Sequence, residues 1–192
     1  SNIINKTYFN PSTKEQIDIT YEKLHDYLSI QNIDSFWNTD IDYYTKKCGL
    51  KISSYSKKEQ NQITTIDYVL TDTNSTRGIL LKTVLRKAYL YYMASVIDTI
   101  DGPSKFVKTF FDSFTPEDTL LGYSPLTSKS AMFFDALNSA DSSKRDEAIA
   151  SLDVMKFKDK NDAANYIRFL ESPNYYKYNV ADREDLIIKF GK

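Results

Sequence analysis

The residues whose types and spacing could do chemistry fall into three groups. In the first, Arg77, Lys82, Arg86 and Lys87 punctuate a long apolar stretch, Thr76–Ile100, in which no acidic residue occurs before Asp98. Cations without local counter-charges can contact phosphates, and Tyr89 or Tyr91 beside them can flank the basic surface or stack on an exposed base. These six residues are the nucleic-acid-binding candidates. The bland counterpart is a solvated face on which long cationic stems cover apolar surface.

The second group is Tyr166, Tyr175, Tyr176 and Tyr178, drawn from a chain with fifteen tyrosines and eleven phenylalanines. A tyrosine can bury its ring at an interface without stranding its hydroxyl, so these four are the protein-interaction candidates. The same chemistry suits a Tyr-rich cap over the core.

The third group is the scattered set from which a catalytic or metal site would have to be built. His25 is the single histidine and Cys48 the single cysteine, and nothing in the sequence ties one to the other. Ser128, Ser130 and Ser151 lack an identifiable base or oxyanion site. Asp40 and Asp42, two residues apart, would converge only on an extended segment. Asp67 with Asp72, or Asp98 with Asp101, fit a turn and a helix terminus better than an acid–base pair. With no HExxH, paired-cysteine or Gly-rich phosphate loop present, no catalytic residue, metal or cofactor is assigned.

The elements that must position these groups follow from periodicity. Leu81, Val84, Leu85, Ala88, Tyr92 and Val96 recur at helical spacing, which predicts a central helix over Thr76–Ile100, preceded by the polar run Thr71–Thr76. Phe106, Val107, Phe110, Phe111 and Phe114 predict the next helix after Asp101-Gly102-Pro103. Cap-plus-proline signals at Thr115-Pro116 and Ser124-Pro125 predict a short turn at Thr115–Leu121 and a longer helix at Leu126–Leu137. Further helices are expected from Ser142–Ser143, from Ala163 to Leu170, and at Asp182–Phe190. In the first part, Thr20–Ser29 reads as a helix and Ser35–Tyr44 is ambiguous. Ile3–Phe9, Leu50–Tyr55 and Ile63–Leu70 read as strands.

Together these give a mainly α fold: a compact helical body with a smaller mixed α/β N-terminal segment, one domain over 1–192 with an internal boundary at 71–76. A formal charge of −1 argues against a surface that binds nucleic acid throughout, though not against a local patch. A lone cysteine excludes an intrachain disulfide and points to the cytoplasm, and Lys82, Arg86 and Lys87 interrupt the apolar run that would have to span a membrane. The function expected is a macromolecular interaction domain with a protein as partner. Nucleic-acid binding through a basic central helix is the first alternative, and a hydrolytic enzyme with an unrecognised site the second.

Overall fold

The computed structural model describes residues 3–30, 32–117, 122–157 and 160–190, with the side chains of residues 35, 36 and 40 left aside. Its fold is α+β, built on a six-stranded antiparallel sheet, and not mainly α. The chain divides into two compact units: Ser1–Leu24 with Asn32–Ser124, and His25–Gln31 with Pro125–Lys192.

The first unit holds the sheet. Its strands are β1 (Ile3–Phe9), β2 (Gln16–Lys23), β3 (Lys51–Gln60), β4 (Ile63–Thr71), β5 (Arg77–Arg86) and β6 (Tyr89–Asp98), in the spatial order β1-β2-β6-β5-β4-β3. The hairpin β1–β2 and the meander β3–β4–β5–β6 meet where β2 pairs with β6, Asp18 opposite Ala94. Between β2 and β3 run α1 (Ile33–Asp42) and a π-helical turn, Tyr43–Lys47. After β6 comes α2 (Lys105–Ser113), started by Ser104, whose hydroxyl accepts from the Val107 amide.

The stretch Thr76–Ile100, expected as a helix, is the β5–β6 hairpin, and this is the main correction to the sequence-based fold. Toward the turn both sheet faces are covered, so apolar residues occupy successive positions there and the period of two is masked. Leu81, Leu85 and Leu90 are buried on one face and Val84 and Met93 on the other. The turn gives no glycine or asparagine signal: Lys87 takes φ 51° at the first central position. Thr20–Ser29 is likewise no helix, because Thr20–Lys23 completes β2, with Ile17 and Ile19 buried and the residues between them facing out. The expected strands coincide with β1, fall within β4, and, but for Leu50, fall within β3. Thr71–Thr76 ends β4 and leads into β5 within the same sheet.

One face of the sheet packs on α2. Ile17, Ile19, Met93 and Ile97 from the strands form a buried cluster with Val107 and Phe111 of the helix. The three- and four-residue spacing of the phenylalanines, expected to make a helix with an apolar stripe, does so here.

The second unit is helical: α3 (Ser130–Leu137), α4 (Ser142–Ala150), α5 (Asp162–Leu170), a 3₁₀ turn Tyr175–Lys177, and α6 (Val180–Phe190). Asp141 caps α4 by accepting from the Ser143 amide. Tyr27, Phe133, Phe134, Leu137, Met155, Phe169 and Leu186 form its buried core. The expected helix at Leu126–Leu137 begins later, at Ser130, and residues 118–121 of the expected turn Thr115–Leu121 lie outside the described residues.

Candidate interaction surface on the sheet

The sheet face opposite α2 carries the candidate site. Strand register aligns Thr7, Asp18, Ala94, Leu81, Tyr68 and Tyr55 across it in one row. A neighbouring row places Phe9 opposite Gln16 in one hairpin, and Val96, Ile79, Leu70 and Ile52 across the other strands. Because side chains alternate along a strand, all these residues point to the same side.

Only part of this face is covered. Asp34 of α1 pairs with Lys57 on β3 (2.8 Å), and that hydrogen bond is the main cause raising the lysine's pKa. Tyr43 and Tyr44 of the π-helical turn border a concavity of about 390 Å³ together with Asp18, Thr20, Tyr68 and Tyr92. A second, of about 700 Å³, shares Asp18 and Ala94 with it and is bordered by Lys14, Arg77, Ile79 and Val96. Beyond the helical cover, Phe9, Ile52, Tyr55 and Val96 are 54%, 41%, 50% and 57% exposed.

The polar groups here are held in place by one another. Asp18 accepts from Thr7 Oγ1 (2.7 Å) and from Gln16 Nε2 (2.8 and 2.9 Å), and Thr20 Oγ1 donates to Asn5 Oδ1 (2.7 Å). The Tyr55 and Tyr68 rings stack at 6.2 Å with 8° between their planes. Such an arrangement presents a fixed carboxylate beside aromatic faces, a chemistry of recognition. Reading Thr20–Ser29 as a helix hid it; the alternation Gln16-Ile-Asp-Ile-Thr20 was the signal that could have revealed it.

The basic candidates do not converge. Lys82 and Arg86 project on the α2 side of the sheet, Arg77 on the other, and Lys87 lies in the turn. Lys82 Nζ donates to the Phe111 carbonyl (2.6 Å) in the last turn of α2 and lies 3.4 Å from an Asp67 carboxylate oxygen. A cation at that position complements the helix C-terminus. Arg86 Nη1 donates to the Pro116 carbonyl (2.5 Å). Tyr89 lies opposite Arg86 in the ladder. Tyr91 stacks on Tyr21 (5.6 Å) and meets Phe114 edge-on (5.3 Å), and burial raises its pKa.

In the helical unit, Tyr178 is buried and its hydroxyl donates to the Leu137 carbonyl (2.8 Å). Burial pushes its pKa up to about 12. Tyr166 stacks on Phe190 at 4.0 Å, and Tyr175 packs against Phe169 with the Arg183 guanidinium over its ring. Tyr176 is 74% exposed, which makes it the one of the four that presents most of its ring to solvent.

The scattered reactive groups are held in local structure. His25 Nδ1 accepts from the Tyr27 amide (3.2 Å), Ser130 donates to Asp162, and Ser151 donates to the Glu147 carbonyl one helical turn back (2.6 Å). Lys129 is buried, and desolvation lowers its pKa. Cys48 is exposed. Asp40 and Asp42 lie on α1 and not on the extended segment their convergence would need, and Asp42 pairs with Lys46 (2.7 Å). Among the described residues no three His, Cys, Asp or Glu side chains group as metal ligands, and no helix is long and apolar enough to cross a membrane.

No protein-family model matches the chain, and no curated protein sequence matches it. Among solved structures, one similar chain is PA94 from Pseudomonas aeruginosa, described as a protein of unknown function with a suggested regulatory role. It superposes with a TM-score of 0.45 at 11% identity, over 62% of this chain and 85% of that one.

Proposed function

We propose that this chain is a macromolecular interaction domain that receives a protein segment on the uncovered part of its sheet. The observation that carries this reading is the exposed apolar set Phe9, Val96 and Ile52 on one sheet face, aligned with the half-buried Ile79 and the buried Leu70, beside the ordered Asp18 carboxylate. Exposed apolar side chains flanked by polar groups are favourable to cover, and the aromatic rings alongside supply contact area at small entropic cost. What weighs against a nucleic-acid surface is the use of Lys82 and Arg86 as donors to backbone carbonyls within the unit.

The test is a capture experiment from the native cellular context with matched variants and nuclease treatment. Val96→Asp places a charge on the open row, and Tyr176→Ser removes the exposed tyrosine of the helical unit. A protein retained through nuclease treatment, kept by Tyr176→Ser and lost by Val96→Asp, supports the sheet surface. Loss on Tyr176→Ser alone moves the interface to the tyrosine group. Enrichment of nucleic acid that depends on Arg77 and Lys87 would replace the reading with the nucleic-acid one.

A further inference from the structure

We infer that two copies of this chain pair through β1, antiparallel, about a two-fold axis at Lys6, continuing one sheet into the next. The inference goes beyond the sheet-face reading and does not depend on it, since it concerns the edge of the sheet and backbone pairing.

The two edges of the sheet are built differently. β3 carries Lys51, Lys57, Lys58 and Glu59 and has a register shift between Ile52 and Ser54. Charges and irregularities of that kind are how an edge strand resists pairing with another chain. β1 runs through the regular register Ile3↔Glu22 to Phe9↔Gln16 with no shift, every residue of it is exposed, and Lys6 is its one charge. Among the described residues β2 is the only strand beside it.

The hydrogen-bonding phase shows which backbone groups β1 offers. Asn10 N–H donates to the Glu15 carbonyl (2.9 Å), and Leu24 N–H to the Ala88 carbonyl (2.7 Å). Antiparallel ladders alternate bonded and non-bonded pairs, so the first fixes Tyr8, Lys6 and Ile4 as the residues bonded to β2. The second gives the same result independently: the even-numbered residues of β2 bond to β6, which leaves Ile17, Ile19 and Tyr21 for β1. The amides and carbonyls of Ile3, Asn5, Thr7 and Phe9 therefore point outward.

The side chains select the occupant. The strand reads Ile-Ile-Asn-Lys-Thr-Tyr-Phe, a palindrome of polarity about Lys6. Antiparallel pairing with a second copy sets Ile3 against Phe9, Ile4 against Tyr8 and Asn5 against Thr7. In that register the outward backbone groups of all four residues pair reciprocally, giving about eight main-chain hydrogen bonds. Each face also keeps its character, because residues directly opposite in an antiparallel ladder share a side. A register two residues shorter or longer strands an apolar end and sets Ile4 or Tyr8 beside Lys6. The opposed Lys6 pair is the one unfavourable contact, of the kind that costs about 0.2–1 kcal/mol when like charges face each other directly. The second copy is thus accepted weakly and reversibly, with an affinity that rises as salt screens the two lysines.

Sedimentation velocity on the full chain, across about 1 µM to about 1 mM, tests this. Wild type should show a monomer–dimer equilibrium strengthened by added salt. Lys6→Thr should tighten it up to about fivefold. An equimolar mixture of wild type and Lys6→Glu should pair across species in preference to either homodimer. Thr7→Pro should abolish dimers, because the Thr7 amide points outward and makes no main-chain bond to β2; the variant also removes the Thr7 hydroxyl that donates to Asp18. A circular-dichroism melt shows whether that variant is folded, and if it is not, the Lys6 variants decide alone. Wild type and Lys6→Thr both monomeric at the highest concentration would overturn the proposal. So would a dimer that pairs at random in the mixture of wild type and Lys6→Glu. Because Val96→Asp leaves β1 untouched, loss of the captured partner and loss of the dimer are separate results.

Discussion

The sheet unit and the helical unit use the same aromatic residues in opposite ways. In the helical unit the core rings turn inward, with Tyr176 the exposed exception: Tyr27 meets Phe133 edge-on at 5.8 Å, Phe169 meets Tyr178 at 5.6 Å, and the Tyr178 hydroxyl is satisfied by the Leu137 carbonyl. In the sheet unit Tyr43 and Tyr55 stay open to solvent around a sheet face that α1 covers only in part. A tyrosine count therefore identifies no interface. The element that carries the ring decides whether it finishes a core or lines a surface.

The sharpest way to break the contrast is to remove an inward ring. Phe133→Ala should cost about 3–5 kcal/mol, because a fully buried aromatic is lost from a core whose neighbours cannot close the gap. Thermal unfolding followed by near-ultraviolet circular dichroism would show it. Val96→Asp, on the open face, should shift the melting temperature little while abolishing partner capture. A large stability loss there would mean that the row is covered in the folded protein.

Next in size is Lys82→Ala. It should destabilise the sheet unit by about 1–3 kcal/mol, since it leaves the Phe111 carbonyl without its charged donor and removes the partner of Asp67. Denaturant titration would detect this. Unchanged stability would return Lys82 to the pool of cations available for phosphate.

Tyr178 supplies a pH test. Its folded pKa of about 12 lies above the ordinary 10.0, so at neutral pH both folded and unfolded forms are protonated and the hydroxyl bond to Leu137 is intact. As pH rises above 10, the unfolded state ionises first, and stability is lost progressively up to about 12. Tyr178→Phe should lose about 1 kcal/mol at neutral pH and flatten this alkaline loss, read as the midpoint of urea unfolding against pH. The smallest effect expected is a gain: Lys87→Asn should stabilise the β5–β6 turn by about 0.5–1 kcal/mol, because asparagine accepts positive φ more readily than lysine.

How legible these features were in the sequence depended on how many sides of an element are buried. α2 could be read because its apolar residues form a single stripe, Phe106, Val107, Phe110 and Phe111, continued by Phe114 just past its end, against one sheet face. The β5–β6 hairpin could not, because burial on both faces removes alternation and Lys87 turns the chain without the usual turn residues. β2 was misread for a subtler reason: Tyr21, Leu24 and Leu28 mimic a helical stripe, yet Leu24 N–H bonds to the Ala88 carbonyl, far away in sequence. The candidate surface went unseen with it, since Asp18 and Thr20 acquire their neighbours from β1 and β6.

The sequence by itself determined local features: the apolar stripe of α2 and the strands β1, β3 and β4. Each of these is set by residues a few positions apart, where backbone sterics and short-range hydrogen bonds act. Only the tertiary structure decided that Thr76–Ile100 is extended, that Lys82 and Arg86 serve carbonyls some thirty residues away, and that Tyr178 belongs to a core. Those outcomes rest on pairing between distant strands and helices. Local propensity in a continuous apolar run is too weak a preference to outweigh a ladder of hydrogen bonds on both sides and a helix packed across one face.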